Sequence, residues 1–226
     1  MRVVAIENGT IAFATENGIR TVIKDIDFSI HEGEKIALYA PNGSGKTSLL
    51  RAMTGLNPLT CGRVLFHETA VCSEKDFARL RRSVGYVIQE AADQIFFPRV
   101  LEDTVFGPLN LGLSPEDAEK RALQALATLG IDSLANRETH HLSGGELRLV
   151  ALAGILAMEP EVLLLDEPTN ALDAASTKRL TDILRKLPTA QLTVSHDSAF
   201  LRNVAETFYT IRDGNIVHLP DFQAFA

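Results

Sequence analysis

Residues 40–47 read Ala40-Pro41-Asn42-Gly43-Ser44-Gly45-Lys46-Thr47, a glycine-rich loop. Glu34–Tyr39 has the pattern of a strand running directly into it, and Ser48–Thr54 continues as a helix. Strand, loop and helix in that order are the context a phosphate cradle requires. Gly43 and Gly45 let backbone N–H groups turn toward one anion. The helix beginning near Lys46 adds its positive end, and Lys46 adds a full charge. Thr47 offers a hydroxyl to Mg²⁺, and Ser48 follows it at the start of the helix. The strict pattern begins with Gly where this chain has Ala40, a mild departure because a methyl group fits wherever φ is negative.

Outward from the loop, strand patterns recur at Val3–Ala14, Val22–Ile30, Val64–Phe66, Val84–Ile88, Val162–Leu165, Leu192–Val194 and Phe208–Ile211. The first two are separated by the turn-like Glu16-Asn17-Gly18. From about Ala91 to Met158 the pattern is helical. Pro115-Glu116-Asp117 opens a segment whose apolar residues (Ala118, Ala122, Leu126, Leu129) recur at helical spacing. Strands alternating with helices predict an α/β fold with a mostly parallel sheet covered on both faces. The helical middle reads as an insertion that leaves the sheet and returns to it.

Val162-Leu163-Leu164-Leu165-Asp166-Glu167 is an apolar strand ending in two acids. Ligands of open parallel sheets collect at the carboxyl ends of strands, so these acids are expected to meet the glycine-rich loop. Asp166 is the expected Mg²⁺ partner, and Glu167 is placed to orient or deprotonate a water attacking a γ-phosphate. His196 ends the strand Leu192–Val194 on the same sheet edge, within reach of that phosphate. Gln89 ends Val84–Ile88, and its amide can serve both metal and water. A second phosphate grip is Leu142-Ser143-Gly144-Gly145-Glu146, ahead of an expected helix Leu147–Met158. Ser143 is an N-cap residue type, and Gly144 and Gly145 leave N–H groups open to an anion. This grip is distant in sequence from the first and predicts a head-to-tail dimer with two nucleotides sandwiched between subunits.

The 226 residues, 46% hydrophobic and 23% charged, suffice for one well-buried core. A net charge of −7 argues against nucleic acid as a partner. The basic cluster Arg79, Arg81 and Arg82 reads as the solvated face of a short helix. Two cysteines without metal-like spacing suit a reducing compartment. No apolar run approaches the roughly 18 residues of a spanning helix, and the N-terminus has no signal-peptide layout. The expectation is a cytoplasmic protein that serves a membrane, if it serves one, from outside the bilayer. His140 and His141, neighbours on a loop, are expected to point apart and hold no metal. Phe96, Phe97 and Pro98 read as an apolar knob for a partner helix.

Taken together, the glycine-rich loop, Gln89, Leu142–Glu146, Asp166-Glu167-Pro168-Thr169, Ala171-Leu172-Asp173 and His196 resemble, in this order, the motifs of the ATP-binding-cassette (ABC) ATPases. The resemblance covers essentially the whole chain. It implies ATP and Mg²⁺ as cofactors and a P-loop NTPase core with an antiparallel β region near the N-terminus. It also implies a single domain over residues 1–226, with a helical subdomain at about 91–158. Gln89-Glu90-Ala91-Ala92-Asp93-Gln94-Ile95-Phe96 and Phe106-Gly107-Pro108-Leu109-Asn110-Leu111-Gly112-Leu113 look like the energy-coupling-factor importers of cobalt, nickel or vitamins. By that resemblance the chain docks, through the segment from Gln89 to about Asp103, on an integral-membrane coupling subunit. That subunit accompanies a substrate-binding membrane component, and a second ATPase subunit, identical or not, completes the pair. The location implied is the inner face of the cell membrane.

The roles implied are Lys46, Gln89, Glu167 and His196 in catalysis and Thr47, Gln89 and Asp166 on Mg²⁺. Residues 40–48 take the chain's own nucleotide, whereas Ser143, Gly144, Gly145 and Asp173 take the partner's. Four departures from the family pattern stand out. Thr15 occupies the place of an adenine-stacking aromatic, with Phe13 two residues away as a substitute. Glu146 replaces a commoner Gln. Leu149 replaces an Arg, which removes a charge expected near the dimer interface. The sequence runs only about a dozen residues past Gly214, so the dimer is expected to be held by ATP or by the membrane partner. Competing readings are a soluble ABC ATPase of translation or repair, and an idle regulatory nucleotide binder.

Overall fold

The computed structural model describes residues 1–16 and 18–221, so Asn17 of the expected Glu16-Asn17-Gly18 turn lies outside the described residues. Two long strands, β1 (Arg2–Thr15) and β2 (Gly18–His31), pair antiparallel. With β4 (Cys61–Phe66) and β5 (Thr69–Val71) they form an antiparallel sheet in the order β2-β1-β4-β5. A second sheet is built from β3 (Lys35–Tyr39), β6 (Val84–Val87), β7 (Val162–Asp166), β8 (Ala190–Ser195), β9 (Thr207–Arg212) and β10 (Asn215–Leu219). Its order is β10-β9-β3-β8-β7-β6, parallel throughout except for the β10 hairpin at one edge. The expected fold class is therefore the one observed. β5 and β10 are edge strands that the sequence reading did not identify. One spans three residues, and the other mixes Asn215 and His218 into its apolar run.

Strand β7, between β8 and the edge strand β6, explains the layering. Every residue of β7 is buried, as a strand covered on both faces must be. Successive side chains point to opposite faces. Leu164 joins a core with Ile6, Ile11 and Ile26 of the antiparallel sheet and with Leu49 and Met53 of α1 (Lys46–Met53). Leu163 and Leu165 join the opposite core. There they pack with Leu126 of α4 (Pro115–Thr128), Val150 and Ala153 of α5 (Gly144–Leu156), Leu180 of α6 (Ala174–Lys186) and Phe200 of α7 (Ser198–Val204). The basic cluster lies on α2 (Glu74–Ser83), where Ser73 and Asp76 form a reciprocal capping box.

Between the neighbouring strands β6 and β7 the chain is helical. It passes through α3 (Val100–Asn110), α4 and short 3₁₀ turns, then returns along α5. α5 begins at Gly144 rather than at Leu147, because Ser143 caps it and Glu146 bonds back to the Ser143 N–H at 2.8 Å. The helix closes onto the sheet at Gly85 of β6, where an added Cβ would stand 2.2 Å from Ile155 Cγ2. Gly85→Ala is expected to destabilise the fold by about 1–3 kcal/mol through overpacking. Ile155→Ala in the same chain should recover part of that loss relative to the sum of the single changes, as read by urea unfolding of the two single variants and the double.

Candidate active site

The parallel register sets four strand ends level. Tyr39 pairs with Ser195, Asp166 with Val194, and Val87 with Leu165. The residues that follow these ends line a cleft of about 610 Å³, which contains Asn42, Gly43, Gly45, Lys46, Thr47, Ser48, Gln89, Asp166, Glu167 and His196. All four expected catalytic residues and all three expected metal donors are thus brought together. Gly43 and Gly45 have φ of +78° and +105°, in the region that favours glycine. At Gly45 a Cβ would also meet Val22 and Ile23 side-chain atoms at 2.6–3.0 Å. Ala40 lies behind the loop, buried and outside the left-handed region, as its methyl group requires.

Lys46 is buried, with Nζ donating to the carbonyls of Ala40 (2.6 Å) and Pro41 (3.2 Å). It stands 3.7 Å from Glu167 Oε1. Glu167 follows β7 with φ of +48°, an uncommon and strained conformation for a residue with a side chain. Its N–H bonds to the Val194 carbonyl at 2.9 Å, and its carboxylate turns toward the end of β8. There Oε2 meets Ser195 Oγ (2.9 Å), the His196 N–H (3.2 Å) and His196 Nδ1 (2.9 Å). Oε1 is buried with no hydrogen-bond partner. One oxygen of the acid is fixed by three donors or ring atoms, and the other is buried facing the Lys46 ammonium.

Asp166 is buried beside it. The Tyr86 hydroxyl donates to Oδ2 at 3.1 Å, while Oδ1 has no hydrogen-bond partner. Burial pushes the Asp166 carboxyl above its ordinary range, against the opposing pull of the Thr47 and Tyr86 hydroxyls. Burial, then the charge of Asp166, raises the Tyr86 phenol in turn. A hydroxyl, an amide and an unpartnered carboxylate oxygen are hard donors, the set that suits Mg²⁺. Thr47, Gln89 and Asp166 therefore fit the metal assigned to them.

The second grip lies elsewhere. Ser143, Gly144, Gly145 and Asp173 line a separate cleft of about 330 Å³, which shares no residue with the first. Ser143 Oγ accepts the Glu146 N–H at 3.2 Å, and the Ser143 backbone N–H, then its hydroxyl, donate to the Glu146 carboxylate and hold that acid below its ordinary range. Asp173 caps α6 by accepting the Ser176 N–H at 2.7 Å. Phe13 and Thr15 both line the first cleft, so the two fall on one strand face.

One expectation requires correction. His140 and His141 do not point apart: their rings lie 4.0 Å from centroid to centroid, both beside Glu138, because the chain coils there into a 3₁₀ turn (Thr139–His141). All three residues are exposed, away from the nucleotide cleft. Leu149 lines the second cleft without a charge of its own, and the neighbouring charge serves the first site instead. Arg148, one residue earlier, is 5% exposed, and its guanidinium donates to the carbonyls of Glu167 (3.3 Å) and Gln89. A turn of 100° per residue directs Arg148 inward to the site while Leu149 packs in the core. Sequence reasoning also passed over Ser195, Tyr86 and Asn170, which lines the first cleft. Arg148 had a signal: it is the only charge after Glu146 in an otherwise apolar helix, and such a charge must be buried with partners.

Comparison with known proteins gives the chain's family and fold relatives. A family described as "ABC transporter" matches residues 23–170. The cobalt import ATP-binding protein CbiO of Rhodobacter capsulatus is 43% identical over 92% of this chain and 75% of its own length. The energy-coupling factor transporter ATP-binding protein EcfA of Methanocaldococcus jannaschii is 41% identical over 87% of this chain and 72% of its own. Among solved structures, CbiO1 of Clostridium perfringens, part of the transporter complex CbiONQ, superposes with a TM-score of 0.84 at 31% identity, covering 96% of this chain and 87% of that one. The ATP-binding cassette MJ0796, as a post-hydrolysis dimer with ADP and Pi, gives 0.87 at 28% identity over 96% and 99% of the two chains.

The buried Asp166 carboxylate has a consequence for stability. Its pKa is raised in the folded state above 3.8, so the folded chain holds the proton more tightly than the unfolded one. The penalty for burying the charge is absent below the unfolded value, grows as pH rises through the folded value, and is complete above it. Asp166→Asn is expected to raise the melting temperature of the nucleotide-free chain at pH 7 in EDTA by about 2–4 °C, the shift that ~1 kcal/mol produces at this size. The gain should shrink toward zero as melting is repeated near pH 4.

Proposed function

Because this chain belongs to the ABC transporter family and is an ATPase, we propose that it powers an importer of the energy-coupling type. The cargo class is a transition-metal ion such as cobalt or nickel, or a vitamin, passed through a membrane partner. The observation that carries this reading is the split of one chain into two separate phosphate grips, one with a complete catalytic set and one without. The chain acts as one of a pair, homo- or heterodimeric, each subunit closing the other's site. Its place is peripheral, on the cytoplasmic face of the membrane. Among the described residues no helix is long and apolar enough to cross a bilayer.

In the proposed chemistry, the loop N–H groups of residues 42–48 and the Lys46 ammonium hold the ATP phosphates. Lys46 then exchanges its carbonyl partners and its proximity to Glu167 for phosphate oxygens. Thr47, Gln89 and Asp166 would hold Mg²⁺, which when bound would supply charge neutralisation for the phosphates. Glu167 Oε1, the oxygen without a partner, takes a proton from the attacking water. A water–phosphorus bond forms, the γ-phosphorus–oxygen bond to ADP breaks, and ADP and phosphate leave. Ser195 and His196 hold the other carboxylate oxygen, which fixes the base, and the remaining face of His196 is directed at the γ-phosphate. Ser143, Gly144, Gly145 and Asp173 complete the partner's site. Helices α3 to α5 act as the subdomain that carries this grip.

The apolar knob supplies the docking surface for the membrane subunit. Phe96 is 72% exposed, and the rings of Phe96 and Phe97 lie 6.1 and 5.2 Å from that of Phe106 on α3, with Leu109 exposed nearby. The Asp103 carboxylate shapes the knob by accepting the Phe96 and Phe97 N–H groups at 2.7 and 3.0 Å. The patch continues from Gln89, so closure of the site reaches the partner directly.

Glu167→Gln is expected to lower ATP turnover by about a hundredfold or more while leaving nucleotide binding intact. Unchanged hydrolysis would show that another group is the base. Phe96→Asp should abolish co-purification with co-expressed membrane subunits of an energy-coupling importer and leave its basal ATPase rate unaltered. Retention of the complex would remove the knob from the interface.

A further inference from the structure

Arg148 is a buried cation whose Nε has no hydrogen-bond partner. Burying an Arg with an orphaned donor is costly, and an apolar side chain of similar volume would be cheaper. Its charge is met by two main-chain carbonyls and, at longer range, by the carboxylates of Glu90, Asp166 and Glu167. The two carbonyls belong to Glu167, the proposed base, and Gln89, a proposed metal donor. A guanidinium has donors spread over a rigid fork and can hold two such carbonyls at once. We propose that Arg148 is a positioning residue that links the Ser143–Gly145 grip on a partner's nucleotide to this chain's own Glu167 and Gln89.

Arg148 lies five residues after Ser143 on the same helix, about 7.5 Å along its axis. The capping box at Ser143 and Glu146 makes the first turn of α5 rigid. A shift of that turn on engaging a phosphate is therefore carried to Arg148 as a movement of the whole helix. At the other end, the Glu167 backbone is held on both sides, its N–H by Val194 of β8 and its carbonyl by the Asn170 N–H at 3.1 Å and by Arg148 at 3.3 Å. The left-handed φ of Glu167 is thus maintained by bonds from two different elements, and moving either one re-aims the carboxylate. Gln89 is held by the same guanidinium, so metal donor and base move together. In this arrangement, filling of one composite site sets the geometry of the other within the same subunit.

The inference rests on the composite-dimer reading, and the two fail separately. If that reading holds, ATPase activity per wild-type chain rises with protein concentration. A concentration-independent rate from a chain that sediments as a monomer with ATP bound would overturn the dimer and this link with it. Once the dimer is established, Arg148→Met removes the fork and keeps the volume. The expected result is a kcat about tenfold or more below wild type, a KM for ATP within about threefold, and a melting temperature equal to or above wild type. Arg148→Lys, which keeps the charge and can engage one carbonyl at a time, should fall between the two. A folded Arg148→Met protein with wild-type kcat would overturn the proposal, as would a loss confined to KM. Should the Met variant fail to fold, the Lys variant decides: a loss of about threefold at unchanged KM supports the link, and full wild-type kcat refutes it.

Discussion

The level parallel pairing of β6, β7, β8 and β3 is the constraint on which the rest depends. Each strand delivers one functional group just past its carboxyl end: Gln89, Asp166 with Glu167, His196, and the glycine-rich loop. Backbone hydrogen bonds space these strands about 4.8 Å apart. No side chain has to reach far to meet the others. A one-residue slip of β7 would turn Asp166 from one face to the other and separate the acids from Lys46.

That arrangement concentrates charge where water is scarce. Lys46, Arg148, Asp166 and Glu167 are all buried, and Asp166, Glu167 and Arg148 each keep a polar atom without a hydrogen-bond partner among the described residues. The penalty is visible in the raised pKa of Asp166. Such a cluster is poor for stability and good for binding a polyphosphate with its cation, because groups already desolvated need little rearrangement when charge arrives. The strained backbone of Glu167 belongs to the same bargain between stability and function. The second grip shows the opposite character. Its helix caps are satisfied and its polar residues are largely exposed, as suits a surface that waits for a partner.

Much of this was legible from residue order. The strand at 162–165 is a continuous apolar run and had to be buried on both faces. The loop at 40–47 has its glycines where positive φ occurs at Gly43 and Gly45. Less legible were groups whose importance lies in what they touch. Ser195 was passed over beside His196, though its hydroxyl holds the same carboxylate oxygen. Tyr86 reads as one more residue of a short strand until the register of β6 and β7 brings its hydroxyl to Asp166. β5 and β10 escaped notice because short edge strands carry little periodicity.

What the sequence determined by itself was the set of chemical parts and their places on local elements. A glycine-rich loop before a helix and acids after an apolar strand are local patterns with local physical causes. Tertiary structure alone decided which parts share a site. It placed Ser143 and Asp173 in one cleft and Lys46 and Glu167 in another, and it turned Arg148 inward while burying Leu149. The reason is geometric: these groups are separated by tens of residues along the chain, and only the packing of α5 against the sheet sets the distances between them.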